Sequence, residues 1–287
     1  MYIGAVMFRK ICLAVGSSPR TEALLAEASR LVYSLNAQLT ILHVGNAEEF
    51  PAGVTEFLKK SGLNENMFRL VNKSGDPAQV ILETCVSENI DLLIAGALQK
   101  ENLLKFYLGT IGRTILRKAP CSVFVFTDPK IESNGFENIV ALADDTPYIK
   151  ETLRAACSVG NCSNTKWLHI LREIKLFGLS LAATENSSES EYNALQQQLV
   201  QREISEAEKI LKEIPHENLK VNIKVVSGKA GFEAHQFSQK KNAELLVVGA
   251  PERRFIFLDR FFKHDLEYLF ADLPCNMLII NPGKINL

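Results

Sequence analysis

The chain runs twice through one plan, and that repetition limits its fold more than any other feature. The apolar, strand-length run Lys10–Val15 (KICLAV) is answered by residues 138–143 (NIVALA), and a second, Gln38–Val44 (QLTILHV), by residues 166–171 (KWLHIL). Residues 71–76, ending in a Gly-Asp turn, are answered by 225–229, and the run 90–97 (IDLLIAGA) by 243–250 (AELLVVGA). Ala119-Pro120-Cys121 and the strand after it are answered by Leu273-Pro274-Cys275 and 277–280. The offset grows from about 128 residues at the first strand to about 154 at the last, as expected of a tandem duplication with an insertion in its second copy. At 287 residues each copy is long enough to bury a core of its own.

Within the first copy, the spacing predicts a helix over 21–35 with Leu24, Leu25, Ala28, Leu31 and Val32 on one stripe. A helix over 54–61 and a short strand at 69–72 follow. Ser74-Gly75-Asp76-Pro77 then opens a helix with proline in its first turn, turning Val80, Ile81 and Cys85 inward. A fourth strand at 91–96, a helix at 111–118 and a fifth strand at 121–126 complete the copy. Strands that lack strict alternation and are separated by helices imply a parallel sheet covered on both faces. The expected domains are 1–130 and 136–287, joined by the polar stretch 128–135. The extra length of the second copy lies at 189–214, where Leu195, Leu199, Ile204 and Leu211 mark a long amphipathic cover helix.

Composition removes several function classes. A net charge of −1, from 32 basic and 33 acidic residues, gives no field to recruit nucleic acid or an anionic membrane. No apolar run approaches a membrane span, and the apolar N-terminus lacks a basic leader and a small-residue cleavage site, so a cytoplasmic protein is expected. Six cysteines form no C-x-x-C and five histidines show no ligand spacing, which points to buried thiols and no structural metal. There is no Walker lysine, no G-x-S-x-G elbow and no nucleophile–base grouping, so no catalytic residue and no enzyme are expected.

The candidate site comes from topology. Ligands of such sheets bind beyond the C-terminal strand ends, where Gly16, the loop after Val44 and Gly96 all fall. After Gly96-Ala97-Leu98-Gln99 and nine further residues comes Gly109-Thr110-Ile111-Gly112, opening a helix. A helix N-terminus offers unpaired N–H groups and the positive end of a dipole, and glycine lets an anion approach the backbone. This is a phosphate-binding pattern.

The first strand and turn at 11–18, Leu39-Thr-Ile-Leu-His-Val44, the helix starts at Gly75-Asp-Pro77 and Gly228, residues 91–96, and Gly109-Thr110 leading to Ala119-Pro-Cys121 together resemble the universal stress protein family, in its two-domain tandem form. The resemblance covers nearly the whole chain, twice. It implies an α/β architecture of two doubly wound, Rossmann-like domains of the adenine nucleotide alpha hydrolase type, each with a five-stranded parallel sheet. ATP-binding members of that family carry G-x2-G-x9-G-[S/T] after the fourth strand, and an aspartate at the end of the first strand that contacts adenine. Here Gly96 takes the first glycine, Gln99 replaces the second, Gly109-Thr110 keep the final pair, and Gly16 stands in the aspartate position.

What the resemblance implies is a cytoplasmic stress-response protein with an adenine nucleotide in domain one only, ATP with Mg2+, bound without efficient catalysis. Val15, Gly16 and Val44 would line the base end, and Gly96, Gln99, Gly109, Thr110, Gly112 and Arg113 the phosphate end. In domain two Asp144 and Gly249 keep the pattern, but Glu252 replaces the second glycine and Lys263-His264 the final pair, so no nucleotide is expected there. The basic group Arg253, Arg254, Arg260, Lys263 and His264 reads as a solvated loop, or as a site for an anion or acidic partner. A non-nucleotide interaction or scaffold module, working through a pseudo-dimer surface, is the other function this pattern allows. The last strands, 123–126 and 277–280, are expected to pack about a pseudo-two-fold axis within the chain, with room for a further homodimer.

Overall fold

The computed structural model describes residues 7–16, 18–50, 53–99, 106–144, 148–174, 189–228, 230–250 and 264–281. By their contacts these form two units, 1–135 with 270–287, and 136–269.

In the first unit, β1 (Lys10–Val15), β2 (Gln38–Val44), β3 (Phe68–Lys73), β4 (Leu92–Gly96) and β7 (Ser122–Phe126) stand in the order β3-β2-β1-β4-β7, all parallel. The chain winds from β1 toward β3, then returns to the other side of β1, so the order reverses between β1 and β4. That reversal opens the ligand crevice of a doubly wound sheet. Helices α1 (Thr21–Leu35) and α2 (Val54–Lys60) pack together, as do α3 (Pro77–Ser87) and α4 (Thr110–Lys118). Ile11, Leu13, Ile41, Leu42, Leu93 and Phe124 are fully enclosed, each side chain contributing roughly 1.5–3 kcal/mol. The start of α3 follows from its residues: Asp76 Oδ1 accepts from the N–H of Gln79 at 2.9 Å, and Pro77 occupies the first turn.

One feature has no counterpart in the expected plan. Between β4 and α4, β5 (Leu98–Gln99) and β6 (Phe106–Tyr107) form a small antiparallel hairpin, pairing Leu98 with Tyr107 and Gln99 with Phe106.

In the second unit, β8 (Asn138–Leu142), β9 (Trp167–Ile174), β10 (Lys220–Ser227) and β11 (Leu245–Gly249) form a parallel arrangement in the order β10-β9-β8-β11. It repeats the reversal, here between β8 and β11. The helices are α5 (Ile149–Cys162), α6 (Glu189–Leu211), α7 (Ala230–Lys240) and α8 (His264–Ala271). The predicted long helix at 189–214 ends three residues earlier than expected.

The fifth strand of the second copy, β12 (Asn276–Ile280), belongs by its contacts to the first unit. It runs antiparallel to β7, with Met277 opposite Val125, Leu278 opposite Phe124 and Ile279 opposite Val123. Polar clasps hold both ends: Asn276 Oδ1 accepts from the N–H and hydroxyl of Thr127, and Asn281 donates from Nδ2 to the Ala119 carbonyl. The expected boundary of 136–287 therefore differs from the compact unit, because backbone pairing draws 270–281 toward β7.

Candidate functional site

Four of the expected residues stand at the C-terminal strand ends that flank the reversal. Val15 ends β1, Gly16 follows it, Val44 ends β2 and Gly96 ends β4. The helix opening expected at Gly109 is also present: Gly109 is the N-cap residue of α4, with Thr110, Gly112 and Arg113 in its first turns. Among the described residues no side chain caps this terminus. Its first-turn N–H groups are therefore the donors that an anion would meet.

The glycines divide by what surrounds them. Among the described residues nothing lies within 4 Å of the position a Cβ would take at Gly16, whose carbonyl is held by the Thr21 hydroxyl at 2.8 Å. There is room for a side chain here. At Gly96 a Cβ would stand 3.0 Å from Leu24 Cδ1, at Gly112 3.1 Å from Leu108 Cδ2, and at Gly109 2.7 Å from Leu98 Cδ1. These three glycines have a packing reason as well as a ligand reason. Gly109 has φ −68° and ψ 179°, which any residue adopts, so its lack of a side chain answers to space and not to backbone strain.

Gln99 departs from the motif in conformation as well as identity. It lies in the hairpin opposite Phe106, where the family pattern would place a glycine free to curl around phosphate. Arg113 is committed locally, its Nε donating to the Leu108 carbonyl at 2.9 Å, which ties the first turn of α4 to the strand before it. The segment before Gly109 is pinned from another side by Phe106, whose carbonyl accepts from Leu273 N at 3.0 Å, and by Leu108, whose N–H donates to the Phe270 carbonyl at 3.3 Å.

Two residues that sequence reasoning did not single out complete the surroundings. The Arg20 guanidinium lies 5.6 Å above the Phe106 ring and donates from Nη1 to the Thr127 carbonyl at 2.8 Å, placing a cation beside the hairpin. His43, 3% exposed, donates from Nδ1 to the Val15 carbonyl at 3.1 Å, so its proton sits on that nitrogen. Its Nε2 is enclosed without a hydrogen-bond partner among the described residues. The cation at Arg20 could have been suspected from its place in the turn after β1; the role of His43 depends on strand register.

The sequence itself has relatives. Residues 57–127 match the universal stress protein family. Over that stretch the chain is similar to the universal stress proteins. Over 146 residues it is 24% identical to universal stress protein YxiE of Bacillus subtilis (strain 168), an alignment covering 42% of this chain and 99% of that protein. Two solved structures share the fold over almost the full length. A putative universal stress protein from Pseudomonas aeruginosa UCBPP-PA14 gives a TM-score of 0.74 at 16% identity, covering 96% of this chain and 95% of that one. A universal stress protein from Archaeoglobus fulgidus DSM 4304 gives 0.67 at 15% identity, covering 95% and 98%. Those two chains, like this one, are about twice the length of YxiE, which agrees with a duplicated fold.

In the second copy, Asp144 directly follows Ala143 beyond the end of β8 and Gly249 ends β11, as the motif places them. Glu252, Arg253, Arg254, Arg260 and Lys263 lie outside the described residues, and of His264 only its place at the start of α8 is described. Among the described residues, no helix is long and apolar enough to cross a membrane and no group of three His, Cys, Asp or Glu side chains is placed to hold a metal ion.

Proposed function

We propose that this universal stress protein binds one adenine nucleotide in its first unit, as a cytoplasmic regulatory ligand that it does not turn over. The observation that carries the reading is the uncapped N-terminus of α4 at Gly109-Thr110, standing beyond the end of β4 at the reversal of strand order. Phosphate would take the first-turn N–H groups of α4, with the dipole and Arg20 supplying positive potential. The base would lie toward Val15, Gly16 and Val44, where the open space at Gly16 admits it. Mg2+ would arrive with a triphosphate and neutralise its charge, held by phosphate oxygens and water. For the nucleotide to reach Gly109, the Leu98 side chain has to swing away, which its 51% exposure allows.

Thermal melting with and without ATP and Mg2+ tests the reading. Specific binding raises the melting temperature by linkage, by about 2.7 kcal/mol of stability at one hundred times the dissociation constant. No shift at millimolar ATP would favour the scaffold function, in which the glycines serve only Leu24, Leu98 and Leu108.

A further inference from the structure

Near the C-terminal end of β9, a charged side chain is turned into the second unit. Arg172 is 2% exposed, and its Nη1 donates to the Ala143 carbonyl at 3.0 Å. Its Nε donates to Glu203 Oε2 at 2.9 Å, while Nη2 binds the same carboxylate and reaches Glu206 Oε2 at 3.4 Å. Glu203 and Glu206 are three apart on α6 and so share a face of that helix. Glu206 is in turn braced by Arg202 Nε at 3.2 Å. A buried guanidinium demands such partners, since removing them strands a charge away from water.

The first unit shows what Arg172 replaces. In β2 the residue paired with Val15 is His43, bonded to the Val15 carbonyl. In β9, one residue beyond the Leu142–Leu171 pair, Arg172 bonds the Ala143 carbonyl. The second copy thus exchanges a compact imidazole ring for a guanidinium that needs an anion. The second copy supplies one, because α6 stands between its second and third strands, where the first copy has the much shorter α2, and carries both carboxylates.

Burial along α6 shows how much rests on this cluster. Among the described residues from 190 to 202 none is buried; Ala207 and Leu211 are the first that are. Going down the helix from its N-terminus, the ion cluster at Glu203 and Glu206 is therefore met before any buried apolar side chain, those of Leu195, Leu199 and Ile204 being half-buried.

We propose that α6 is a lid on the second unit, latched by Arg172 through Glu203 and Glu206 beside the C-terminal ends of β8 and β9. Its inner end stays docked through Ala207 and Leu211, and its outer end opens when the latch is released.

The test is amide hydrogen exchange by mass spectrometry on the full chain, comparing wild type with E203Q/E206Q. Amides from 199 to 206 should exchange at least about tenfold faster in the variant, with β9 and β10 unchanged, because local opening is limited by the contacts that hold the segment. Equal rates in the two proteins would overturn the proposal. So would wild-type exchange in this segment at the rate of an unstructured peptide, which would mean that nothing is latched. R172M should show the same acceleration. Should that variant fail to fold, trypsin cleavage after Arg202 in E203Q alone decides: faster cutting than in wild type supports the latch, and unchanged cutting contradicts it.

Discussion

The Leu98 side chain rests against the Cα of Gly109, so closely that a methyl group on Gly109 would lie 2.7 Å from Leu98 Cδ1. This contact joins the two possible reasons for a glycine at the start of α4: space for a neighbouring side chain, and access for an anion.

A double-mutant cycle separates those reasons. Gly109→Ala should lower stability by less than about 1 kcal/mol, because the exposed Leu98 side chain can turn aside, and Leu98→Ala in the same chain should recover what is lost. In the proposed site the added methyl also hinders phosphate, so the double variant should regain its melting temperature while its ATP affinity stays at least about tenfold below that of Leu98→Ala alone, a difference of roughly 1.4 kcal/mol. Equal affinities would show that Gly109 serves packing only.

The open space at Gly16 offers a gain-of-function test. An aspartate there meets no atom of the described residues within 4 Å of its Cβ, and its backbone is outside the positive-φ region that strains side chains. In the related ATP-binding pattern this position contacts adenine, and one such hydrogen bond contributes about 0.5–1.5 kcal/mol. Gly16→Asp should therefore bind ATP up to roughly tenfold more tightly in a calorimetric titration, with tripolyphosphate binding unchanged or weakened by the added charge.

His169 links the second unit to pH. It is 5% exposed, stacks on Trp167 and faces Phe237 edge-on, with Nδ1 3.2 Å from Asn222 Nδ2. Burial, and secondarily the charge of Lys241, push its pKa below the usual 6.5. The unfolded chain then binds the proton more readily than the folded one, so this contribution to stability is present above pH 6.5 and is lost as pH falls below it. The melting temperature should drop between about pH 6.5 and pH 5, and the drop should be smaller in His169→Gln. An identical pH dependence in both proteins would remove His169 from the explanation.

Of the six cysteines, Cys162 is exposed and the other five are buried. Burial pushes the Cys157 thiol up to about 12 and raises Cys12 further in the same direction, while hydrogen bonding with Cys85, together with burial, raises Cys121. A thiol reagent at neutral pH should label one equivalent promptly and all six only in denaturant, since the thiolate is the nucleophile. Prompt labelling of several equivalents would show that the first unit opens readily around Cys12, Cys85 and Cys121.

Much of this architecture was legible in the sequence because local signals and tertiary demands agree. Helix α1 at 21–35 and strand β2 at 38–44 fall where periodicity predicts them, and Asp76-Pro77 caps α3 as its residues require. What escaped were features set by partners distant in sequence. The Leu98–Gln99 hairpin strand has too few residues to carry a period, and its pairing with Phe106–Tyr107 is fixed by space. That the last strands, 123–126 and 277–280, pack together was legible, and β12 does pair with β7; what no pattern announces is that Asn276 and Asn281 clasp the two ends of that pairing. Arg172 reads as an ordinary charged residue near a strand end until register brings it against Ala143 and the inserted helix. At the site, the glycine positions were readable, while the leucines that crowd three of them were not.

The claim on which the functional reading rests is that the first unit alone holds a nucleotide at the start of α4. Titration calorimetry of the full chain with ATP and Mg2+ measures this most directly. The expected result is saturable binding of one equivalent per chain, tighter than about 1 mM, and abolished by Gly109→Val in a chain that still folds. Absence of binding at millimolar ATP, two equivalents per chain, or one equivalent that survives Gly109→Val would contradict it.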